Sequence, residues 1–81
     1  MYNNPGEPNW DDVELLVLMD LEGQRIVRVF EKHPELTYNE YWYRPGTEPQ
    51  FMGVNEPPDF GERRQLSGEA AKETTFDFLR G

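Results

Sequence analysis

With 81 residues, 36% of them hydrophobic and 30% charged, the chain can build one small core and no deep enclosed active site. Sixteen acidic residues against eight basic ones leave a net charge of −8, which repels phosphate backbones and anionic lipid surfaces, so neither direct nucleic-acid binding nor membrane association is expected. The absence of cysteine excludes disulfides, thiolate nucleophiles, zinc–thiolate sites and iron–sulfur ligation together.

Residues 1–9 contain Asn, Pro and Gly and almost nothing to bury, and they read as a flexible leader ahead of a single α+β domain over 10–81. The leader has neither the basic region nor the apolar run of a secretion signal. The longest nearly uninterrupted apolar stretch, Leu15–Met19, is five residues, against the ~20 that a bilayer-spanning helix needs. The cytoplasm is therefore the expected compartment.

Val13 to Asp20 is rich in β-formers, Arg25 to Glu31 alternates around β-branched residues, and Asp20 to Gln24 lies between them, so the two runs read as a β-hairpin. Gly23 suits the left-handed position of a three-residue loop with a bulge. That loop pairs Asp20 with Gln24, and hence Val17 with Val27, Leu15 with Val29 and Leu16 with Arg28. Val13, Leu15, Val17, Met19, Val27 and Val29 then form the core face, leaving Leu16, Leu18, Ile26 and Phe30 on the other with Glu14 and Arg28.

His33-Pro34 breaks the second strand. The aromatic run Thr37 to Tyr43 reads as a third strand, although a short helix opening at Pro34 competes with it. Arg44-Pro45-Gly46-Thr47 fits a type II turn, and Gln50 to Val54 a short fourth strand that Pro49 places at an edge. Residues 55–66 are a linker by composition. Ser67 can cap a helix over 67–80, with Glu69 and Glu73 near its start and Arg80 at its end, although Phe76 and Phe78 also suit a docked extended tail. The expected architecture is a four-stranded, mostly antiparallel sheet of two hairpins carrying one C-terminal helix.

Nothing in the chain assembles a catalytic constellation. His33 is the single histidine and sits in a bend, no Gly-rich phosphate loop or EF-hand pattern occurs, and no cofactor or metal is implied. Asp11, Asp12 and Glu14 flank the first strand at positions expected to face water, so no apolar setting for acid–base work is expected around them. The expectation is a non-enzymatic protein that binds a larger protein, one with a basic surface being the natural match for its charge. Compact acidic chains of this kind are common among phage and mobile-element proteins, and by that analogy the chain reads as a regulator or inhibitor. A DNA mimic and an accessory subunit of an enzyme complex are the alternatives.

The aromatic strand sharpens this expectation. Tyr41 and Tyr43 face one side, and Tyr38 and Trp42 share the other with Glu40. A domain this small shelters one side well, and Trp has more apolar area to lose, so Tyr41 and Tyr43 are the expected exposed anchors. With Glu40, Asp11, Asp12 and Glu14 they make up the expected partner-binding surface. Gln65-Leu66-Ser67 resembles the opening of the peptide by which bacterial proteins dock on the sliding clamp, but the Leu-Phe that should follow is missing.

Overall fold

A computed structural model describes residues 6–35 and 37–81. A 3₁₀ turn, Trp10–Asp12, leads into β1 (Val13–Leu21), β2 (Gln24–Lys32), β3 (Tyr38–Tyr43), β4 (Gln50–Asn55), β5 (Glu62–Arg64) and α1 (Gly68–Arg80). The strands form one antiparallel sheet in the order β4-β3-β2-β1-β5. The sheet therefore has five strands, not the expected four. Glu62–Arg64, inside the expected linker, returns to pair with β1, setting Leu16 against Arg64 and Leu18 against Glu62. Part of the expected leader, residues 1–5, lies outside the described residues. Its last residues are engaged: Pro8 is buried, and Asn9 caps the 3₁₀ turn while its N–H donates to Glu31 Oε2.

The β1–β2 connection is tighter than expected. Glu22 and Gly23 both take positive φ, 54° and 83°, which is the two-residue turn whose twist matches a hairpin. Leu21 instead of Asp20 then faces Gln24, and the register moves by one: Leu16 pairs with Val29, Val17 with Arg28, Leu18 with Val27 and Asp20 with Arg25. Two local contacts support the tight turn, an Asp20 Oδ1 that accepts from Gly23 N–H at 3.1 Å and the opposite charges of Asp20 and Arg25 across the strands. A bulge between Val13 and Leu15 then sends Val13 to the side of Leu16.

The slip re-sorts the faces. Leu16, Leu18, Val27, Val29, Tyr41 and Tyr43 line one side, which α1 covers through Ala71, Phe78 and Leu79, with Trp10 at the edge. Leu15, Val17 and Phe30 form a smaller apolar group on the other side, flanked by Met19 and Tyr38. Among the described residues no helix lies there. The chain before β5 crosses it instead, so closely that a Cβ on Gly61 would sit 2.6 Å from Val17 Cγ1.

Arg28 and Glu40 occupy the second face as a buried pair, Nε to Oε2 2.6 Å. Glu40 also accepts from Trp42 Nε1 at 2.6 Å and from Asn55 Nδ2 at 3.0 Å, so three donors from three strands neutralise it. The Arg28 guanidinium lies over the rings of Phe30, Trp42 and Phe60. On the other half of the chain, Pro45-Gly46 makes the expected turn, with Gly46 at φ 74° and Thr47 N–H donating to Arg44 O. Residues 68–80 are helical and not an extended tail. Ser67 is the N-cap by position but makes no side-chain capping bond.

Gly61 is held by both its φ of 91° and its contact with Val17. Replacing Gly61 by Ala should destabilise the domain by roughly 1–3 kcal/mol. Loss of amide protection at Glu62–Arg64 ahead of the other strands would locate the effect at β5. A variant as stable as the parent would show that the crossing segment is not packed on Val17.

Candidate protein-binding groove

The expected partner surface is not one surface. Tyr41 and Tyr43 are each 4% exposed, within the core beneath the helix, because the register sets them opposite Val29 and Val27 on the covered face. The Tyr41 hydroxyl donates to Glu31 Oε1 and its ring packs on Phe51 at 5.2 Å. Trp42, expected to be the core aromatic, is half-buried on the other face, where the Glu40 carboxylate satisfies its indole N–H. Glu40 is 2% exposed and engaged internally, so it cannot meet a partner. Asp11, Asp12 and Glu14 are exposed as expected; Asp12 accepts from Asn9 Nδ2, and Glu14 accepts from the Tyr38 hydroxyl. Asp11 lies beside the start of α1, 3.6 Å from where a Gly68 Cβ would be.

A concave surface forms elsewhere, between the last turns of α1 and the β3–β4 turn. Its floor is the edge of Tyr43, whose ring meets Trp10 at 5.5 Å and Phe76 at 5.7 Å in a three-ring cluster. Phe76 is 38% exposed and forms one wall. Pro45 and Pro49 form the opposite wall, fixed by the Pro-Gly turn, and Leu79 lies between them. The cavity measures about 400 Å³ and continues past Leu79 into a second of about 390 Å³ that reaches Gln24 and Arg25.

Arg44 and Arg80 line both cavities, with Glu7 on the first and Arg25 on the second. Arg44 stacks over Trp42 at 5.2 Å, and Arg25 lies over Phe78 at 4.9 Å while donating to the Phe78 carbonyl near the helix end. Among the described residues no carboxylate is within ion-pair distance of either, although the chain carries sixteen acids. Arg80 pairs with Asp77. Burial, then the carboxylate of Glu7, then the neighbouring Tyr41 push the Tyr43 hydroxyl far above its ordinary range, so it stays protonated at neutral pH. The groove can therefore take an apolar side chain against Tyr43, Phe76 and Leu79 and a carboxylate at Arg44 or Arg25. Neither arginine was marked out in the sequence, where each reads as one more surface charge; the signal was their loneliness among acids, visible once the fold places them together.

Among the described residues no three His, Asp or Glu side chains converge in a metal-binding cluster, and no helix is long and apolar enough to cross a membrane. No protein-family model, curated protein or solved structure matches the chain.

Two outcomes test this placement of Tyr43. Tyr43→Ala should cost about 3–5 kcal/mol of unfolding free energy, as for other buried aromatics, with Trp42→Ala milder; the reverse order in denaturant melts would return Tyr43 to the surface. Because the folded hydroxyl holds its proton more tightly than the unfolded one, its contribution is complete below about pH 10 and is lost as pH rises further. Tyr43→Phe should thus narrow the drop in stability between pH 8 and 11, and an unchanged drop would show that the hydroxyl is not buried.

Proposed function

We propose that the chain is a small protein-binding regulator that occludes a segment of a larger protein, and that the groove beside the end of α1 receives it. The observation that carries this reading is the meeting, in one concavity, of the exposed Phe76 with Pro45, Pro49, Leu79 and Arg44, with Arg25 on the adjoining cavity and no carboxylate of the described residues within ion-pair distance of either arginine. Aromatic and arginine side chains are the commonest interface anchors, and here they are held by a helix and a proline-fixed turn, so little ordering is needed on binding. The segment favoured by this lining is extended, with an apolar residue beside an acidic one.

Selection of a random peptide library on the folded domain tests the reading. Recovered peptides should share that apolar–acidic pattern and perturb the amides of Tyr43, Arg44 and Leu79. Phe76→Ala and, separately, Arg44→Glu should each weaken them by roughly 1–3 kcal/mol. Arg44 is exposed, so its replacement should leave melting unchanged and keep the test independent of folding. Peptides that map to another face, or that ignore both substitutions, would end the proposal.

A further inference from the structure

β4 is one edge of the sheet: one side of its backbone is bonded to β3 and the other faces outward, and the Met52 and Asn55 carbonyls accept from Asn55 Nδ2 and Thr37 Oγ1. Proteins usually protect such an edge with lysine, charge or proline on the strand itself. Pro49 precedes β4, and a bulge opposite Glu40 and Tyr41 bends it, but Gln50–Asn55 contains no charged residue. Met52 and Val54 are 37% and 38% exposed along it. The flanks are acidic: between Arg44 and Arg63 the chain carries Glu48, Glu56, Asp59 and Glu62 and no Lys or Arg. Where β4 ends, an open concavity of about 600 Å³ is lined by Glu35, Thr37, Val54, Asn55 and Glu56.

We propose that β4 accepts an extended segment of a partner protein as a sixth strand, with a Lys or Arg of that segment seated between Glu35 and Glu56. Backbone hydrogen bonds to the free edge supply the attraction, and apolar residues facing Met52 and Val54 set the register. A second copy of the chain is the alternative occupant of a neutral edge, and charge opposes it. Antiparallel pairing of β4 with itself brings Glu48 of one copy towards Glu56 of the other, and each copy carries −8. A strand with basic ends turns the same carboxylates from repulsion to attraction. This surface is separate from the groove beside α1, whose rim is cationic, so the two would select segments of opposite charge.

The probe is a synthetic peptide of alternating valine and threonine with two lysines at each end, titrated into isotope-labelled protein. The expected result is slowed hydrogen exchange at Met52–Asn55 with cross-strand contacts from peptide to β4. Glu35→Gln with Glu56→Gln should weaken binding about tenfold or more without changing melting, because both side chains are exposed. Methylation of alternate peptide amides should abolish it, and Phe76→Ala should leave it intact. The proposal is overturned by any one of four results: no protection of β4, equal binding of the same peptide with glutamate ends, loss of binding in Phe76→Ala, or a dimer protected at β4 without peptide.

Discussion

The turn at Glu22 and Gly23 decides which side chains of a nine-residue strand pair share a face, and the remaining packing follows from it. A left-handed Glu22 costs on the order of 1 kcal/mol. The Asp20 Oδ1 to Gly23 N–H bond offsets about that much. The larger stake is the face that β1 turns to the helix. A three-residue loop would turn β1 over, setting Leu16 opposite Arg28 and placing Leu15 and Val17 under the helix instead of Leu16 and Leu18. The β2–β3 register holds Val27 and Val29 on the helix side and Arg28 on the side of Glu40, and the tight turn sends Leu16 and Leu18 to join the valines.

Glu40 in turn ties the sheet across its width. Its carboxylate receives Arg28 from β2, Trp42 from its own strand β3 and Asn55 from β4, and no buried side-chain polar atom lacks a partner among the described residues. A pair so enclosed need not add net stability over an apolar equivalent, but it leaves few acceptable alternatives for the register of β2, β3 and β4. The second face can thus hold its order under a crossing loop, while the helix covers the first.

Much of this was legible from residue patterns. Alternation located the hairpin strands and the aromatic strand, Pro45-Gly46 marked its turn, and the caps and charges around 67–80 marked the helix. What was not legible depended on choices that local pattern leaves open. One glycine after Glu22 is compatible with two loops, and the fit of Gly23 to the left-handed position of the three-residue one pointed to the wrong choice. The strand Glu62–Arg64 carries no apolar residue and follows two prolines, so its pairing derives from the free edge of β1 and not from its own propensity. The burial of Tyr41 and Tyr43 has a separate cause: their side is fixed by pairing with Val27 and Val29, which belong to the core face in either hairpin register, and not by ring size. The groove was beyond reach for a different reason: its walls come from the leader, the β3–β4 turn and the end of the helix, which only folding brings together.

The return of Glu62–Arg64 to β1 also separates the chain into two kinetic parts. β1 to β4 form a meander in which each strand pairs with its successor through short connections, so their contacts close small loops early. β5 pairs with residues more than forty positions earlier, and it can do so only after β1 has been fixed by β2. By sequence separation the segment that seals Leu15, Val17 and Phe30 belongs, with α1, to the late-closing part of the chain. Until it closes, a nascent or refolding molecule presents that apolar patch and the bare edge of β1 to its surroundings, and this interval is when the chain is most exposed to aggregation and to proteases.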